Sequence, residues 1–217
     1  MDLIYLPVSL GEAIDKLTIL DIKLDNIKDQ RRIDVQKEYD ILHEKLRDFV
    51  LKYSDLYSTM KKVNLLIWNM MDVLRDGNVG EDEYLKICKE CIEYNDIRFR
   101  VKNKINYLSA SSLKEQKSYK VTRLLIDMSN EIVEIDDFIR PIKYYSFFYD
   151  EIVIFHREDS KLKEFFEYDP TIIFNKRDAD SIFKRKIVCS FDTNEQYNNS
   201  QFLKILELTE DEMNIIL

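Results

Sequence analysis

Val35, Tyr39, Leu42, Leu46, Phe49, Tyr53, Leu56, Met60, Val63, Ile67, Met70 and Leu74 follow one another at spacings of 4 and 3 without a gap. No other feature constrains the fold as tightly. Forty residues of unbroken heptad make a helical rod of about 60 Å at 1.5 Å per residue. Ser54-Asp55 is a point where the rod can divide in two. In either form the stripe needs another helix to cover it.

Two flanking patterns supply that cover. Ser9 and Glu12 form an S-x-x-E capping box. Leu10, Ala13, Leu17, Leu20, Leu24 and Ile27 then line one face of an amphipathic helix that ends near Asp29. On the other side, Asp76-Gly77-Asn78-Val79-Gly80 holds two of the three glycines and predicts a tight turn. Tyr84, Ile87, Cys91, Tyr94, Val101, Ile105 and Leu108 resume the stripe, with Arg98 on the beat that should be apolar. Long helices joined by short turns predict an antiparallel hairpin or bundle over roughly 9–110.

Beyond about Lys120 the texture changes to short apolar runs: Leu124-Leu125-Ile126, Ile152 to Phe155, Thr171 to Phe174 and Ile187-Val188-Cys189. Helix-compatible segments, Ser160 to Phe166 and Asp178 to Arg185, lie between them. That alternation predicts a parallel sheet covered on both faces, and Gln201 to Leu217 reads as a terminal helix. Residues 121–139 fit either a strand followed by a helix or one helix; the strand reading is favoured. The fold class is thus α-rich α+β, with a long-helix domain over 1–120 and a small α/β domain over 121–217.

Composition removes several function classes. Only 3 Gly and 3 Pro occur, and no G-x-S-x-G, Walker or G-x-G-x-x-G sequence is present, which argues against serine hydrolases, P-loop enzymes and dinucleotide enzymes. No run of about 18 apolar residues exists, so no membrane span is expected. Met1 to Leu6 carries an acid where a secretory leader needs bases, so a cytoplasmic location is expected. Cys88-Lys89-Glu90-Cys91 has the C-x-x-C spacing but sits in a helix pattern. With only Cys189, His43 and His156 left as further ligands, it reads as core cysteine, with no metal and no cofactor. His156, at a strand end, reads as a loop histidine sooner than as a site.

The charge distribution says more. The chain holds 41 acids and 33 bases, yet between Ile97 and Arg123 eight bases (Arg98, Arg100, Lys102, Lys104, Lys114, Lys117, Lys120, Arg123) face one acid, Glu115. The rest, 25 bases against 40 acids, is too acidic for nucleic acid. Either the stripe pairs internally with acids such as Asp15, Asp21 or Asp25, or it holds an anion. Arg98 on an apolar seam demands a partner, and Asp15, Asp96, Asp72 or a bound anion would serve. Trp68, the one tryptophan, reads as part of a wide buried face sooner than as a sugar-stacking platform.

Pro7-Val8-Ser9-Leu10-Gly11-Glu12, Ile14-Asp15-Lys16-Leu17-Thr18-Ile19-Leu20, Asn64, Trp68, Asp72, Arg75, Asn95-Asp96, Arg98, Lys102, Asn106 and Glu115 together resemble a family of short helical proteins of unknown function. These are found mainly in bacteria, often near or fused to glycan-assembly enzymes. The resemblance covers 6–120 and implies a fold and a neighbourhood but no mechanism. Residues 121–217 more weakly resemble the first, Rossmann-like half of a heptosyltransferase-type glycosyltransferase. Ser129-Asn130-Glu131 stands where that family has a glycine, and its second half has no counterpart. Two expectations follow. The leading one is a non-catalytic helical assembly or accessory protein linked to glycan biosynthesis, which self-associates or docks on a partner protein. The alternative is a small enzyme or binding protein for a phosphorylated or nucleotide-linked sugar. There Arg98, Arg100, Lys102 and Lys117 hold the anion, and Asp15, Asp72 or Glu115 supplies acid–base function.

Overall fold

The structure is a computed structural model and describes residues 5–118, 121–127, 136–156, 162–176, 188–190 and 208–217. The chain divides into two compact units, the first running to Gln116 and the second from Lys117 to Ile216.

The first unit holds four helices: α1 (Leu10–Asn26), α2 (Arg32–Lys52), α3 (Ser54–Asp76) and α4 (Glu81–Leu108). Ser9 caps α1, its hydroxyl accepting from the Glu12 amide at 3.2 Å. The long heptad is two helices. Tyr53 leaves helical geometry at φ −118°, ψ 41°, and its hydroxyl donates to the Leu108 carbonyl at 3.0 Å, so the start of α3 is tied to the end of α4. Gly77 closes α3 at φ +66°, a conformation that glycine adopts without strain. The four-residue turn then makes α3 and α4 an antiparallel hairpin.

α1 packs against all three of the other helices. The sequence pattern predicts one apolar stripe on α1, but burial extends beyond it, because neighbours on several sides leave only a narrow solvent face, on which Lys16 is exposed. Ile14, Leu17, Leu20, Ile22 and Leu24 are buried, and so are Asp15 and Thr18. Met60 and Val63 of α3 and Ile97, Val101 and Ile105 of α4 complete this core.

The second unit contains β1 (Arg123–Asp127), α5 (Asp136–Tyr145), β2 (Glu151–His156), α6 (Leu162–Phe166), β3 (Ile172–Lys176), β4 (Val188–Ser190) and α7 (Glu210–Asn214). Residues 123–127 form a strand, and helix returns at Asp136. The sheet order is β3-β2-β1-β4, with β1–β2 and β2–β3 parallel in the register Leu124↔Ile152↔Ile172. β2 buries Ile152, Val153 and Ile154 in succession, as a central strand covered on both faces must. The expectation of an all-parallel sheet fails at its edge: β4 pairs antiparallel to β1, Leu124 opposite Cys189. A short β-branched run fits a ladder in either direction, so composition carries no sign of strand polarity. The terminal helix is described over Glu210–Asn214, where Thr209 and Glu212 form a reciprocal capping box. Residues 201–207, 178–185 and 129–131 lie outside the described set.

Candidate functional site

A line of charged and polar side chains runs along the contact of α1 with α4. It begins at Gly11. A Cβ at this position would sit 2.5 Å from the Lys102 carbonyl oxygen and 2.9 Å from Asn106 Oδ1. Only glycine permits so close an approach of two helix backbones. The Gly11 amide donates to Asn106 Oδ1 at 2.7 Å, which ties the two helices where they come nearest.

One turn further along, Lys102 Nζ lies 3.0 Å from Glu12 and 2.5 Å from Glu115. Next, Arg98 grips Asp15, Nε to Oδ1 at 2.8 Å and Nη2 to Oδ2 at 2.6 Å. Asp15 is 1% exposed. Asn64 of α3 donates to the same Asp15 Oδ1 at 2.8 Å and to the Thr18 hydroxyl at 2.9 Å. Thr18 in turn donates to the Asp15 carbonyl at 2.8 Å. Three helices thus meet on one carboxylate.

Electrostatics follow the geometry. Burial lowers the pKa of the Arg98 guanidinium, but the hydrogen bonds and charge of Asp15, aided by Glu12 and Glu115, more than offset it and hold the pKa above its ordinary value. Burial likewise works against the charged form of Lys102, and its hydrogen bonds to Glu115 and Glu12 outweigh that. Both cations remain charged because each has carboxylates within reach.

Of the residues expected to form a site, Asp15, Arg98, Lys102 and Glu115 meet here. Arg100 is buried on α4. Lys117 is exposed and belongs to the second unit. Asp72 is remote from the cluster: it is exposed on α3, 3.3 Å from Arg75. Asp21 and Asp25, weighed as partners for the basic stripe, pair instead with Lys61 of α3, at 2.7 and 3.6 Å. The Asp21 carboxylate also accepts from Tyr57 at 3.2 Å. Glu12, read from the sequence only as half of a cap, gives its carboxylate to Lys102. The signal for it was present: Glu12 and Asp15 are three apart, Arg98 and Lys102 four apart, so each pair shares a helix face.

Trp68 is half-buried on α3, not enclosed by a wide apolar face. It lines an open cavity of about 680 Å³ with Asn26, Ile27, Lys28, Asp29, Arg31 and Asp72. His43 stacks on Tyr39, ring centroids 5.3 Å apart. Cys88 and Cys91 are free thiols, and burial pushes the Cys91 pKa up. Among the described residues no group of three or more His, Cys, Asp or Glu side chains is placed to hold a metal ion, and no helix is long and apolar enough to cross a membrane.

Comparison with known proteins finds one family, described as a family of unknown function (DUF6165), matching residues 4–132. The match spans all four helices of the first unit and most of the residues just described. No curated protein and no solved structure matches the chain.

Proposed function

The chain belongs to the DUF6165 family of unknown function, and from that premise we propose that it is a non-catalytic helical accessory module in glycan assembly, one that docks on a helix of a partner protein. One observation carries this reading. Arg98 and Lys102, the cations best placed to hold an anion, are already matched by Asp15, Glu12 and Glu115 of the same unit. A phosphorylated ligand at that stripe would have to displace three carboxylates, one of them buried. A cluster so closed serves to fix three helices in register.

The docking surface is the outer half of the α3–α4 hairpin. From Leu65 to Glu90 no residue is buried, although the apolar seam continues through Ile67, Met70, Leu74 and Ile87. Leu85 and Ile92, seven apart on one face of α4, are 52% and 64% exposed. Residues 81–96 carry six acids against two lysines. A second copy would bring acid against acid, whereas a basic amphipathic helix complements both the apolar positions and the charge. The link to glycan assembly rests on the resemblance of the α/β unit to the first half of a heptosyltransferase-type enzyme. The β1-α5-β2-α6-β3 order with parallel pairing is compatible with that resemblance, as it is with many α/β folds.

Two measurements test the proposal. UDP and inorganic pyrophosphate, the anionic part of a nucleotide-linked sugar, should leave the melting temperature unchanged, since a ligand that binds only the folded form must raise it; a rise of several degrees overturns the reading. A protein captured by the wild-type chain should, once purified, bind it through a basic helix and lose at least tenfold in affinity to Leu85→Glu/Ile92→Glu. Binding indifferent to that double change, or a stable homodimer by light scattering, removes the proposed surface.

A further inference from the structure

The cavity beside Trp68 belongs to no part of the ion-pair cluster. We propose that it binds a neutral saccharide, the indole lying against the C–H face of a sugar ring and Asp72 accepting from its hydroxyls. The inference rests on the accessory reading and gives that module a ligand.

The cavity has the dimensions of a small-ligand site: about 680 Å³, within the usual range of a few hundred to a thousand. Its chemistry is that of a polyhydroxylated ligand with one apolar face. Trp68 offers a flat apolar surface, and its indole N–H has no hydrogen-bond partner among the described residues, which leaves a donor free for the ligand. The carboxylates of Asp29 and Asp72 supply acceptors, each beside an arginine. Arg31 holds Asp29 through its guanidinium, Nη2 to Oδ2 at 2.6 Å, and Arg75 holds Asp72 at 3.3 Å. Neither ion pair uses every lone pair of its carboxylate. Asn26 is anchored by its amide nitrogen, which donates to the Ile22 carbonyl at 2.8 Å; its oxygen is a further acceptor.

Charge argues for a neutral ligand over a phosphorylated one. Arg31 is committed to Asp29, and of the lining cations only Lys28 has no carboxylate partner among the described residues, against the acidic Asp72. The wall formed by Asn26 and Ile27 is the carboxyl end of α1, where the helix dipole is negative and repels an anion.

Trp68 is the only tryptophan in the chain, so tryptophan fluorescence of the full-length protein reports this cavity alone. The probes are glucose, galactose, mannose and N-acetylglucosamine, with glucose 1-phosphate as the charged counterpart, each titrated to tens of millimolar. The expected result is a saturable fluorescence change with at least one neutral sugar, at a dissociation constant of about 1 mM. Glucose 1-phosphate should bind no tighter than glucose. Asp72→Ala, which is exposed and should fold normally, should weaken binding tenfold or more. No saturable change with any sugar overturns the proposal. Tighter binding of the phosphate, or an Asp72→Ala titration identical to wild type, also overturns it. Leu85→Glu/Ile92→Glu should leave the sugar titration intact, so failure of partner docking and failure of the saccharide site are separate outcomes.

Discussion

Arg98 meets Asp15 through two parallel hydrogen bonds, 2.8 and 2.6 Å, and the Asp15 side chain so held is 2% exposed while the Arg98 side chain keeps 26% of its surface. The asymmetry decides what a mutation does. Arg98→Met leaves a buried carboxylate with only Asn64 as a side-chain donor, and an uncompensated buried charge costs about 3–5 kcal/mol. Asp15→Leu leaves a cation that can still reach water and should cost less. The double variant Asp15→Leu/Arg98→Met should recover most of the Arg98→Met loss, because a matched apolar pair leaves no stranded charge. Urea denaturation of the four proteins gives the coupling directly. Additive losses would mean that the pair does not act as a unit.

Gly11→Ala should destabilise by about 1–3 kcal/mol, the usual effect of forcing atoms into a filled contact. The new methyl meets the Lys102 backbone carbonyl at 2.5 Å, and backbone cannot rotate aside as a side chain can. α1 must therefore move off α4, which loosens Lys102 from Glu12 and Asn106 from the Gly11 amide. A midpoint unchanged in urea would show that the helices have room the close approach denies.

Much of this arrangement could be read from residue order, and the remainder marks where local pattern stops being informative. The capped start at Ser9 and the glycine stop at Gly77 are local events, each decided by a few neighbouring residues, whereas the heptad leaves open whether it divides near Ser54-Asp55, and the break at Tyr53 is tied to Leu108, 55 residues away. Arg98 announced its need for a partner because a guanidinium cannot sit on an apolar seam alone, and Asp15 was among the acids able to serve. Which acid it would be depends on how α1 crosses α4, set by Gly11 and Asn106, which lie 95 residues apart. The same holds for Lys102, shared between Glu12 from α1 and Glu115 from the segment after α4. The polarity of β4 and the cavity beside Trp68 also arise only when separate elements meet.

The two glycines of the α3–α4 turn look alike in sequence and should respond differently. Gly77 stands at φ +66° with nothing near its would-be Cβ, so Gly77→Ala loses about 1–2 kcal/mol to backbone strain alone. Gly80, at φ −66° with equally open space, occupies ordinary backbone geometry. Gly80→Ala should fall within about 0.5 kcal/mol of wild type. Equal effects of the two substitutions in chemical denaturation would contradict the left-handed stop.

Alkaline pH should weaken the helical unit more than its surface ion pairs explain. The Tyr57 phenol is held well above its ordinary pKa of 10.0, mainly by burial and then by the Asp21 charge. The pKa values of Lys61 and Lys102 also stand above their ordinary 10.5, because hydrogen bonds to carboxylates outweigh burial. In all three the folded form holds its proton more tightly than the unfolded chain. Their contribution is complete below about pH 10 and is lost as the pH climbs through the raised values. Urea midpoints measured from pH 8 to 11.5 should therefore decline at the upper end. Tyr57→Phe, which has no phenolic proton to lose, and Lys102→Met, which has no ammonium, should each shallow that decline. If neither variant changes the slope, the alkaline loss comes from other groups, and the tight holding of these protons is not what links pH to folding.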